Sequence, residues 1–96
     1  MREFTIGREV EFAQFPAPIE IDHSSYYLLK NNSTYLLASR VCPHMGYPVD
    51  VSDGEIVCFL HGWNFDEKTG ICKHIPYEGL TTYPVFLRNG EFIALI

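Results

Sequence analysis

Two short segments, CPHMG from Cys42 to Gly46 and CFLHGW from Cys58 to Trp63, hold two of the three cysteines and two of the four histidines in this 96-residue sequence. Thiolate sulfur and imidazole nitrogen are the donors that borderline and soft transition metals prefer. One cysteine-gap-histidine segment alone reads most simply as a buried thiol beside a hydrogen-bonded histidine. Two of them, Cys42 with His44 and Cys58 with His61, are separated by only the thirteen residues from Met45 to Val57. A single hairpin between them brings four donors to one point, so the pair reads as a metal site. Pro43 stiffens the first segment between its two candidate ligands. Gly46 and Gly62 follow the histidines closely, where a missing side chain lets main-chain N–H groups approach a sulfur or another anion.

The elements that must position these segments read as strands. EVEF, PIEID, SYYLLK, TYLLASR, GEIVCF, WNFD, TYPVFLR and EFIALI are rich in β-branched and aromatic residues. Turn chemistry separates them at Pro16 to Pro18, Asn31 to Ser33, Asp53-Gly54, Thr69-Gly70 and Asn89-Gly90. No window carries a long helical period. Asn89-Gly90, between two alternating strands, predicts a type I′ hairpin at the C-terminal end, and a second hairpin is expected around Asn31-Asn32. The expected fold is all-β: a small antiparallel sandwich or barrel carrying two cysteine-containing loops.

Composition bounds the rest. A chain of this length makes one domain, read as residues 1–96, with a modest core and little room for a deep active site. It is 47% hydrophobic and 15% aromatic with 20% charged residues, a globular balance. MREFTIGREVEF is charged throughout and lacks the apolar run of a signal peptide or a membrane span, so a cytoplasmic protein with no membrane association is expected. Three cysteines do not make a disulfide framework, and in a reducing compartment Cys and His in pairs point to metal.

The paired segments resemble the two cluster-binding loops of Rieske proteins, CxH followed by CxxH. WNFDEKTGIC and YPVFLRNGEFIAL are similar to the ferredoxin-like and ring-hydroxylase-associated members, so the likeness is strongest over the C-terminal half. The resemblance implies a Rieske-type fold with a cluster-binding subdomain at about 41–77 and a [2Fe–2S] cluster. Cys42 and Cys58 would bind one iron, and His44 and His61 the other. Pro43, Met45, Gly46, Leu60, Gly62, Trp63 and Pro76 would surround the ligands, with Pro76-Tyr77 in the place of the proline segment that lies against the cluster. The sequence departs from the family pattern in a shorter spacing between the two loops, and in Phe59 and Leu60 where proline and an aromatic residue are frequent.

Two ferric ions, two sulfides and two thiolates sum to zero charge, so neutral imidazoles ease addition of an electron; the family spans roughly −150 to +300 mV. High-potential members resemble CTHLGC and CPCHGSxY, with a disulfide between the loops and Ser and Tyr hydroxyls aimed at the cluster. This sequence has Tyr47, Leu60 and Trp63 at the corresponding cysteine and serine places and Phe65 at the tyrosine place. A low-potential cluster is therefore expected.

The function implied is a one-electron carrier, passing electrons from a ferredoxin reductase to a terminal oxygenase or another redox enzyme, and not itself an enzyme. A Rieske domain or small subunit of a larger oxidoreductase is the neighbouring alternative. A structural Cys2His2 zinc module or regulatory subunit is the alternative from another class, since four N/S donors also make a normal zinc site. Net charge −5 argues against nucleic acid. From Val41 to Glu67 there are five acids and no Lys or Arg, beside an apolar tip of Met45, Tyr47, Pro48, Leu60 and Trp63, which reads either as a docking face for a basic partner or as ordinary solvated turns. Cys72 reads as a small apolar strand residue, and His23 and His74 as surface or hydrogen-bonded residues.

Overall fold

The segment SSYYLLKN is apolar at four consecutive positions, which suits a strand covered on both faces. The computed structural model, which describes residues 2–43, 46–60, 62–75 and 78–96, shows that arrangement. Its strands are β1 (Glu3–Arg8), β2 (Ala17–Ile21), β3 (Ser24–Asn31), β4 (Thr34–Ser39), β5 (Asp50–Ser52), β6 (Glu55–Cys58), β7 (Trp63–Phe65), β8 (Thr82–Arg88) and β9 (Glu91–Leu95). There is no α-helix among the described residues. Six strands pair antiparallel in the order β1-β9-β8-β4-β3-β2 and curl into a nearly closed barrel, and three more form a separate sheet, β5-β6-β7.

Side-chain alternation divides the core in two. Leu28 of β3 and Leu37 of β4 point into the barrel with Ala17, Val85, Phe92 and Ala94. Phe12 and Tyr35 meet Phe92 edge-on, at ring centroids 5.6 and 4.6 Å away. The alternate residues of the same two strands, Tyr27, Leu29 and Ala38, face the other way and share a second core with Cys42, Val49, Ile56, Cys58, Phe65, Cys72 and Leu80. β3 and β4 are thus the common wall between the barrel and the three-stranded sheet.

The turns follow their sequence. Asn89 and Gly90 both have positive φ (52° and 78°), as a type I′ hairpin requires. Asp53 and Gly54 repeat this (52° and 79°) between β5 and β6. Asn32, at φ 58°, turns the β3–β4 hairpin. Asp22-His23 makes a further hairpin with positive φ at both residues, and it leaves His23 exposed. EVEF is the correction: Glu9–Glu11 is a 3-10 turn, because the Arg8 N–H donates to Glu11 Oε1 (2.6 Å) and the Phe12 N–H to the Glu9 carbonyl (3.2 Å). The strand at this end is instead EFTIGR, paired with β9 and bulged between Thr5 and Gly7.

Candidate metal centre

The first cysteine loop leaves β4 and closes on itself before β5. The Cys42 N–H donates to the Tyr47 carbonyl (2.8 Å), the Gly46 N–H returns to the Cys42 carbonyl (3.0 Å), and Val41 bridges Pro48. In the second loop Cys58 ends β6 opposite Trp63 of β7, and the Gly62 N–H donates to the Cys58 carbonyl (2.8 Å). A third loop has the same frame: the Asp66 N–H donates to the Ile71 carbonyl and the Gly70 N–H to the Asp66 carbonyl, both 2.8 Å. Each frame needs positive φ at its fourth residue after the opening one, and Gly46 (66°), Gly62 (68°) and Gly70 (76°) supply it. This frame is written in the sequence as CPHMGY, CFLHGW and DEKTGI, a glycine four positions after each opening residue, a signal that reading the histidine spacing alone misses.

Gly46 and Gly62 supply the left-handed backbone that closes their frames. Their N–H groups are taken by the cysteine carbonyls, and a Cβ on either would meet no described residue within 4 Å. Among the described residues the constraint on them is backbone conformation. Gly62→Ala should cost about 1–2 kcal/mol, and Gly62→Asn less because Asn tolerates the left-handed region; chemical denaturation of the two variants checks the order.

The third loop shows what the frame offers to an anion. Asp66 Oδ1 accepts the N–H groups of Lys68 (2.7 Å) and Thr69 (3.0 Å). An acceptor on the opening residue thus gathers main-chain donors two and three residues on.

Cys42 and Cys58 open the other two frames, and both are fully buried in one core. The β5–β6 hairpin joins the two loops, as the short spacing between them requires. Anionic sulfur in so apolar a setting requires a counter-charge, which a bound metal ion provides; the two buried thiols fit such a group. His44, His61, Met45 and Pro76 lie outside the described residues. Pro43 is exposed at the turn after Cys42. Cys72 is fully buried in the same core, bridged to Phe65, which matches its reading as packing, and none of the three cysteines is in a disulfide. Phe65 is also fully buried there, where a tyrosine hydroxyl would need a partner.

Around the loops the surface is apolar. Val41 (50%), Tyr47 (46%), Phe59 (62%) and Leu60 (52%) are exposed. Trp63 is half-buried against the core, with its ring 6.3 Å from that of exposed His74. The acidic rim is weaker than a window from Val41 to Glu67 suggests, because cations just outside that window pair with it. Arg40 bonds Asp50 (2.5 Å), and Lys73 bonds Glu55. The Glu55 hydrogen bond holds the Lys73 ammonium above its ordinary pKa. Burial pushes the Tyr27 phenol up, against the nearby Arg40 guanidinium. No cavity of substrate size opens among the described residues.

Comparison with solved structures gives the class of fold. The terminal oxygenase of carbazole 1,9a-dioxygenase from Novosphingobium sp. KA1 superposes with a TM-score of 0.71 at 21% identity, over 98% of this chain and 29% of that one. A crystal structure provisionally assigned as the small subunit of an NADPH nitrite reductase superposes with a TM-score of 0.65 at 18% identity, over 100% of both chains. The Rieske [2Fe-2S] domain model matches residues 4–84. The chain belongs to the Rieske [2Fe-2S] domain family, and its cofactor is the Rieske-type [2Fe–2S] cluster. Among curated proteins, cholesterol 7-desaturase of Caenorhabditis elegans is 34% identical over 68 residues, 57% of this chain. The chain spans 16% of that protein's length.

Proposed function

We propose that residues 1–96 form one Rieske-type domain that carries single electrons to an oxygenase or a related oxidoreductase, with residues 41–77 as the cluster-binding part. The observation that carries this is the burial of Cys42 and Cys58 in one core, each with its carbonyl accepting the N–H of a glycine four residues on. When bound, the cluster takes up and releases one electron at a time. Cys42 and Cys58 hold one iron as thiolates, and His44 and His61 hold the other as imidazoles. The loop frames orient the sulfurs, and the buried side chains of Val49, Ile56 and Phe65 keep water from them. The exposed apolar residues Val41, Tyr47, Phe59 and Leu60 form the contact face for a ferredoxin reductase and for the electron acceptor.

Anaerobic reconstitution with iron and sulfide tests the reading. A red-brown protein with a rhombic EPR signal after dithionite reduction is expected, while a colourless protein that retains zinc and no iron would overturn it. The midpoint potential should lie below zero, toward roughly −150 mV, because Trp63 and Phe65 bring no hydroxyl to the centre. A midpoint well above zero, by redox titration, would contradict this.

The second reading is a domain or small subunit of a larger oxidoreductase. The full-length superposition on the assigned nitrite reductase small subunit favours it. Co-purification with a catalytic subunit separates this reading from a diffusing carrier.

A further inference from the structure

We infer that Arg40 is a positioning residue for the metal centre: its guanidinium clamps the stem of the first loop and seats Cys42 against the shared core. The inference rests on the proposed cluster reading for its function, though not for its geometry. Arg40 lies two residues before Cys42. Its main chain already ties the stem, the N–H donating to the Ser25 carbonyl (3.2 Å) and the carbonyl accepting the Val49 N–H (2.9 Å). The side chain adds three contacts. Nε donates to the Val49 carbonyl (3.0 Å), Nη2 to Asp50 Oδ1 (2.5 Å), and the guanidinium carbon lies 5.0 Å from the centroid of the Tyr27 ring.

Through one side chain these contacts join three parts of the fold. Tyr27 belongs to the core that holds both cysteines. Val49 and Asp50 form the far side of the first loop, and Asp50 opens the β5–β6 hairpin that ends at Cys58. Arg40 therefore holds both the first loop and the approach to the second. An isolated exposed ion pair would be worth little. Here the planar fork also bonds a main-chain carbonyl and stacks on a buried ring, a set of contacts a single ammonium does not reproduce.

Arg40→Gln and Arg40→Lys test the clamp in two ways. In the metal-free protein, amide hydrogen exchange at Cys42 and Val49 should quicken about tenfold, the scale of one lost charge-assisted hydrogen bond. Amides of the β8–β9 hairpin should not change. In the reconstituted protein, release of iron to a chelator should quicken by a similar factor and the g-values of the reduced EPR spectrum should shift, with lysine failing to rescue either. A merely stabilising Arg40 would leave the g-values in place. Wild-type exchange at Cys42 and Val49 in both variants would overturn the inference, as would an unchanged EPR spectrum. Should Arg40→Gln expose the β8–β9 amides as well, Asp50→Asn is read instead: faster exchange at Val49 supports the clamp and unchanged exchange overturns it. If the wild-type chain retains no iron, the cluster reading falls, and the exchange measurements still decide whether Arg40 holds the loop.

Discussion

Replacing Cys58 by serine should reduce the iron content of the reconstituted protein to background, with loss of the visible absorption. Cys58 ends β6 and is fully buried, so a water molecule cannot take its place without entering the core. A serine hydroxyl remains neutral where a thiolate is needed to balance ferric iron. The same result is expected for Cys42→Ser. Cys72→Ala is the contrasting variant: it sits in the same core but opens no loop frame, so it should lose stability by about 1 kcal/mol or somewhat more through a small cavity and keep its iron. Iron and sulfide assays on the three variants, with chemical denaturation of each metal-free form, check the pattern. Iron retained in Cys58→Ser at the wild-type level would remove Cys58 from the ligand set.

The largest effect on stability is expected from Phe65→Ala. Phe65 on β7 is fully buried in the core that holds the cysteines, paired to Ile56 and bridged to Cys72. Loss of a buried phenyl costs about 3–5 kcal/mol, a large share of the roughly 5–15 kcal/mol typical of a folded domain. Phe92→Ala should cost as much, because Phe92 is equally buried and packs edge-on against Phe12 and Tyr35. The two should differ in their consequence for the metal. Phe65 shares its core with Cys42 and Cys58, whereas Phe92 lies on the opposite side of β3 and β4. Phe65→Ala should therefore release iron faster at temperatures where both variants are still folded. Equal release rates at matched stability would show that the two cores are not independent.

Much of the fold was legible in the sequence. The turn pairs Asp53-Gly54 and Asn89-Gly90 stand where the chain needs positive φ twice in succession, and the apolar alternation around them fixes which residues enter the core. Cys42 and Cys58 stood out as candidate ligands because each is followed closely by a histidine and a short hairpin suffices to bring the two segments together. What escaped was set by partners distant in sequence or by local hydrogen bonds. Glu9–Glu11 has strand-forming residues, yet a carboxylate three residues from Arg8 folds it into a turn. β5 is only three residues long and exists because β6 pairs with it. Arg40 and Lys73 neutralise acids that a window beginning at Val41 and ending at Glu67 leaves unpaired. Asp22-His23 carries no glycine, so its hairpin is invisible to a search for the usual turn pairs.

The placement of β3 and β4 between two sets of packed side chains has a bearing on cofactor exchange. The barrel packs Leu28, Leu37 and Phe92 with no cysteine among them, so the scaffold on that side of β3 and β4 takes none of its packing from the metal-bearing side. Insertion or loss of the cofactor should then disturb the outer wall of that scaffold and leave its interior unchanged.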